Sequence, residues 1–194
     1  MYHPYHPQNL VGDFFENKLI KLFDLVRLDS NRGINPDLAS KDNSFFVEVK
    51  ASSYLNGGVI NKGQLYRFDR IVDTKRFYAF AYHSIIKNMQ KDYPTKEKLE
   101  DVLDLKSLFI FPFSIIKSYF EHSKPQKHPK HDDFYQLKER FAKGIFNFDE
   151  IMWKYLDLDK KEYQGISLNE NIHVMTNQGK FEQAFLNSFH PEFL

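Results

Sequence analysis

Pro36-Asp37-Leu38-Ala39-Ser40-Lys41-Asp42-Asn43-Ser44-Phe45-Phe46-Val47-Glu48-Val49-Lys50 reads as two short apolar strands joined by a polar turn, Lys41-Asp42-Asn43. Successive side chains on a strand face opposite sides. Glu48 and Lys50 therefore share one face of the second strand, and Val47 and Val49 the other. If the first strand pairs with the second, Asp37 comes alongside Glu48. Two carboxylates and an ammonium then meet on a sheet otherwise built of Phe and Val. Burying them without partners costs several kcal/mol each. A divalent cation held by Asp37 and Glu48 offsets that cost, and oxygen donors from carboxylates, a backbone carbonyl and water suit Mg²⁺ or Mn²⁺.

Upstream, Asn9 to Val26 has helical spacing, with Leu10, Phe14, Leu19, Leu22, Phe23 and Val26 forming an apolar stripe and Glu16 lying on the same helix. Val26 to Asp29 is a strand end, Ser30 to Gly33 a turn, and Ile34 to Ala39 the strand carrying Asp37. Downstream, residues 51–63 form a loop rich in Ser, Asn and Gly that can admit a phosphodiester backbone closely or simply connect elements. Gln64 to Val72 is expected to be helical, with Leu65, Phe68 and Val72 facing the core and Arg67 and Arg70 facing out. Arg76 to His83 and Ser107 to Phe111 have strand length, Lys96 to Leu105 suits a short helix, and Pro112-Phe113 opens a helix over 114–120. Two further strands after a helix suit a mixed sheet covered on both faces.

The order helix, strand, hairpin and motif strand, with Asp37 followed by Glu48-Val49-Lys50, resembles the PD-(D/E)XK nuclease superfamily, which includes type II restriction endonucleases and archaeal Holliday-junction resolvases. The resemblance implies an α/β fold in which helices flank a mixed central β-sheet, with Mg²⁺ (or Mn²⁺) as cofactor and DNA as partner. Asp37 and Glu48 would hold the metal, with the carbonyl of Val49 as a third protein ligand. Lys50 would deprotonate or orient a water, or stabilise charge on the phosphate. Glu16 resembles the extra acidic residue that orients a metal-bound water or a second ion, although a solvated helix glutamate reads the same. Gln64 resembles the glutamine that opens the helix after the motif strand in several of these nucleases. Lys62 and Arg67 are candidate phosphate contacts.

The basic loop 122–133 adds Lys124, Lys127 and Lys130 as further DNA contacts, or as a solvated loop. Its His128, His131 and Asp132 have no periodic helix to fix a zinc geometry. The remainder is expected to be mostly helical, about 134–143, 148–155 and 179–189, around a short strand at 172–175.

A chain of 194 residues allows one full domain, with a core at about 9–122 and an extension at about 133–194. Twenty Phe and eleven Tyr describe a globular chain with an aromatic core. The absence of Cys removes disulfides and thiolate metal sites and fits a cytoplasmic protein. No signal peptide or membrane-length apolar run is expected. Net charge is only +1, yet residues 145–194 hold four Lys against eight Asp or Glu, which leaves residues 1–144 at +5. A nearly neutral whole argues against a purely electrostatic nucleic-acid binder. The expected activity is Mg²⁺-dependent endonucleolytic cleavage of DNA by a homodimer similar to a type II restriction enzyme. A junction resolvase or repair nuclease is the alternative within the class, and a non-catalytic DNA-binding protein keeping the nuclease fold is the alternative outside it.

Overall fold

The computed structural model describes residues 7–28, 36–53, 59–83, 103, 105–121, 134–136, 164–168, 172–176, 187–190 and 192. Helix α1 (Pro7–Phe23) leads into strands β1 (Leu25–Arg27), β2 (Leu38–Ser40) and β3 (Phe45–Ser53). Strand β4 (Val59–Asn61) and helix α2 (Lys62–Asp69) follow, then β5 (Lys75–His83), β6 (Leu105–Pro112) and helix α3 (Phe113–Glu121). Strands β7 (Phe134–Gln136), β8 (Gln164–Ser167) and β9 (Ile172–Thr176) complete the described elements.

Seven strands form one sheet in the order β1-β2-β3-β5-β6-β9-β8, and β4 pairs with β7 separately. The sheet is mixed, because β3–β5 and β6–β9 are parallel and the other pairs antiparallel. Strand β5 is central, with every residue from Phe77 to His83 buried. Its alternate residues serve two cores. Phe77, Ala79 and Ala81 join Val47, Val49, Leu108, Ile110, Ile172 and Val174 beneath Phe15, Leu19, Leu22 and Phe23 of α1. The alanines leave room for the helix to approach, and each large apolar side chain buried there contributes about 1.5–3 kcal/mol. On the opposite face Tyr78 packs edge-on to Phe68 of α2 and stacks on Phe113 of α3. Among the described residues no helix is long and apolar enough to cross a membrane.

The hairpin of the opening stretch is present. Asn43 adopts a left-handed φ of 56°, its N–H donates to the Ser40 carbonyl at 2.9 Å, and the Ser44 N–H donates to Asp42 Oδ1 at 3.0 Å. Several boundaries differ from the sequence reading. Helix α1 stops at Phe23, because Asp24 takes a φ of 50°, and Val26 belongs to β1. The buried stripe of α1 includes Val11 and Phe15, whereas Leu10 and Phe14 are only partly buried. Helix α2 ends at Asp69, leaving Val72 70% exposed instead of in the core. Leu105 begins a strand, not the end of a helix. Residues 134–136 also form a strand, and β8 was not anticipated. The expected strand at 172–175 is present as β9, and β8 joins it on the large sheet, whereas β7 lies where a helix was expected and pairs with β4. Most of the expected helices over 96–105, 134–143, 148–155 and 179–189 lie outside the described residues.

Candidate active site

The register Leu38↔Val47 and Ala39↔Phe46 places Asp37 one step beyond the β2–β3 ladder, opposite Glu48. Asp37 itself precedes β2 and is not within a strand, contrary to the reading of Ile34 to Ala39 as one strand. Its side chain does what a strand backbone would otherwise do: Asp37 Oδ2 accepts the Val49 N–H at 2.7 Å. The N–H and C=O of one strand residue point the same way. The Val49 carbonyl therefore faces Asp37 too. On the adjoining face Lys50 Nζ donates to Glu48 Oε1 at 2.5 Å, and both side chains are largely buried, 15% and 11% exposed.

Glu16 reaches the same place from α1. Arg27 of β1 holds it at 2.7 Å and also pairs with Asp13 at 3.1 Å. Glu16 is pushed up to about 7, first by burial and then by the charge of Asp37; Arg27 pulls it down, and Asp13 and Glu48 push it up further. Asp37 is raised to about 6 by burial and by Glu48, against the pull of Lys50, the Val49 N–H and Arg27. For Lys50, burial lowers the pKa, but Glu48 and Asp37 outweigh it and hold the ammonium above its ordinary value. Three mutually repelling carboxylates thus share Lys50 and Arg27 as their cations. The reading of Glu16 as a solvated glutamate is set aside, since its side chain is only 16% exposed.

Tyr78, paired in register with Glu48, lies on the same face. Its hydroxyl is buried and has no hydrogen-bond partner among the described residues. Burial first, then Glu48 and Asp37, raise its pKa strongly, so it stays a neutral phenol able to donate.

Among the described residues no three His, Cys, Asp or Glu side chains form a cage for a metal. The donors that could hold a small hard cation are Asp37, Glu48 and the Val49 carbonyl, three oxygens with room left for water. The excess of buried negative charge and the unsatisfied Tyr78 hydroxyl both match a hydrated cation chemically.

The other expected site residues lie further out. Gln64 is half-buried in the first turn of α2, and no described hydrogen bond ties it to Lys50. Lys62 opens α2 with its ammonium 5.8 Å from the Tyr66 ring centroid. Arg67 is exposed on α2 and lines a cleft of about 660 Å³ with Arg70, Phe46 and Asn43. Lys124, Lys127 and Lys130 lie outside the described residues. The sequence reading gave no role to Arg27, Phe46 or Tyr78. Only strand alternation pointed to the last two, since Phe46 shares the Glu48 face and Tyr78 is even-numbered on the adjoining strand.

No known family model, curated protein or solved structure matches the chain.

Proposed function

We propose that the chain is a metal-dependent DNA endonuclease, with Asp37, Glu48 and Lys50 as its catalytic trio. The observation that carries this reading is the convergence at one strand end: the Asp37 carboxylate on the Val49 N–H, opposite Glu48, with the Lys50 ammonium on Glu48. Asp37, Glu48 and the Val49 carbonyl would hold Mg²⁺ or Mn²⁺. The bound ion would neutralise the attacked phosphate and acidify a water. Lys50, held on Glu48 beside Asp37, would orient or deprotonate a water, or stabilise the charge developing on the phosphate. Glu16, with a pKa near neutrality, can take or release a proton at the water's side of the site. Arg27 orients it. Gln64, in the first turn of α2, would meet the substrate backbone.

The test is plasmid nicking in Mg²⁺ by the parent, Asp37→Ala and Lys50→Ala. The parent should nick, and each variant should lose about a hundred- to a thousandfold, as when an electrostatic catalytic group is removed. Circular dichroism should remain that of the parent. Nicking by both variants at the parental rate would refute the site. Sedimentation would report separately on the expected homodimer, which making double-strand breaks with one site per subunit calls for.

A further inference from the structure

The cleft beside the trio has a chemistry of its own. Its floor is apolar, with Phe46, Ile71 and Leu28, and its rim carries Arg67 and Arg70. Both arginines are exposed, and neither forms an ion pair with a carboxylate among the described residues. The cleft adjoins the acidic site along the chain. Phe46 lies two residues before Glu48 on the same face of β3, and Pro36, at the cleft wall, is bonded to Asp37. The Leu28 N–H donates to the Asp37 carbonyl at 3.1 Å. The charge of Arg67 is felt at Tyr78, which also feels Glu48 and Asp37.

A partly buried aromatic ring, two exposed guanidinium groups and an exposed amide, Asn43, match the chemistry of a nucleotide. Bases of any sequence stack on aromatic rings, and arginine forks match phosphate oxygens. The volume lies within the roughly 300–1,000 Å³ of pockets that enclose small ligands. A base stacked inside a duplex cannot enter such a cleft. It must first be unstacked, which is least costly where it is already unpaired.

We infer that this cleft seats one unstacked nucleotide of the substrate strand, next to the phosphate at the trio, with its base on Phe46 and its phosphate between Arg67 and Arg70. The inference rests on the nuclease reading for the identity of the strand. It directs the enzyme toward DNA with an unpaired nucleotide beside the cut, such as a single strand, a flap or a junction, in preference to uninterrupted duplex.

The binding test uses the full chain in EDTA, titrated with the 5′-monophosphate of 2-aminopurine deoxyriboside, whose fluorescence is quenched on stacking. Saturable quenching is expected, weakened on the order of tenfold by Phe46→Leu through loss of the ring stack, and also weakened by Arg70→Ala. The exposed Arg70 variant guards against a folding defect at Phe46. Asp37→Ala should bind the nucleotide like the parent. In Mg²⁺, Arg70→Ala should raise KM for a single-stranded oligonucleotide about tenfold with kcat unchanged, and the parent should cut that oligonucleotide faster than the matched duplex. Absent quenching, quenching equal in parent and both cleft variants, or faster cutting of plain duplex would overturn the inference. Quenching that depends on Phe46 and Arg70 in a protein that never nicks DNA would support the nucleotide site and sink the nuclease reading instead.

Discussion

Asp37→Asn should stabilise the metal-free protein at alkaline pH while removing its activity. The carboxyl of Asp37 is raised from 3.8 to about 6 by burial and by Glu48. A carboxyl whose pKa is raised by folding binds its proton more tightly in the native chain. Its contribution is fully present below about pH 4 and is lost as pH rises through about 6. At about 1.4 kcal/mol per pH unit, ionising Asp37 within the fold costs about 3 kcal/mol at pH 8. Asparagine avoids that cost and still offers an oxygen to the Val49 N–H. It gives up the charge assistance of that bond, on the order of 1 kcal/mol. The net gain is then about 2 kcal/mol, or about 4–8 °C in Tm for a chain of this size. Urea unfolding in EDTA at pH 8 and at pH 4 measures it, and the two proteins should converge at the lower pH. Saturating Mg²⁺ at pH 8 should raise the parent and leave the variant where it was. A variant less stable than the parent at pH 8 in EDTA would mean that Asp37 is not held against repulsion, and the electrostatic account of the site would fail with it.

Two further outcomes follow from the same packing. Arg76 donates to the Phe68 and Asp69 carbonyls at 2.7 and 2.9 Å, and its guanidinium lies 4.4 Å from the Phe113 ring centroid. Arg76→Ala removes a donor from both carbonyls, although the Phe68 carbonyl keeps the Ile71 N–H, and should cost about 1–3 kcal/mol in urea midpoint-derived stability. Lysine restores less than half, because it lacks the fork and the flat face; full rescue by Arg76→Lys would contradict this assignment. Tyr78→Phe removes a buried hydroxyl that has no partner among the described residues, so it should leave stability in EDTA unchanged or raise it by about 1 kcal/mol. If that hydroxyl orders water at the ion, the same variant should need several-fold more Mg²⁺ for half-maximal nicking, and an unchanged Mg²⁺ dependence would remove Tyr78 from the site.

The hairpin was legible because its signals are local. Alternation over Phe45 to Lys50 and a polar turn with an Asn in the left-handed region specify strand, turn and facing together. Meeting of Asp37, Glu48 and Lys50 followed from that pairing alone. The phase of α1 was not legible. Leu10 and Val11, and Phe14 and Phe15, are adjacent apolar pairs, and either member satisfies helical spacing; the sheet beneath chose Val11 and Phe15. The end of α2 was hidden for a related reason. Arg76, seven residues beyond Asp69, takes the carbonyls at which the helix stops, and propensity carries no trace of that contact. Strand β7 owes its conformation to β4, about 75 residues earlier in the chain. Pairings across such separations leave only a short apolar run in the local pattern, which helix explains equally well.

The early end of the β2–β3 ladder is what makes the site possible. Paired residues of β2 and β3 stop at Leu38 and Val47, so on the side away from β5 no described strand continues beside Val49. A sheet edge left in this way must find partners for its N–H and C=O groups. Asp37 satisfies the N–H with a carboxylate, and the Val49 carbonyl is left facing the same space. Continuing the register would set Pro36 against Val49, and Pro36 has no N–H to give the Val49 carbonyl, so the ladder stops where the site begins. The open edge leaves Asp37 and the Val49 backbone facing one space, where a cation would bind under the proposed function. The cost borne by these acids and the access they allow therefore have one structural origin. A stabilising change that regularises this edge should gain stability at the expense of metal affinity.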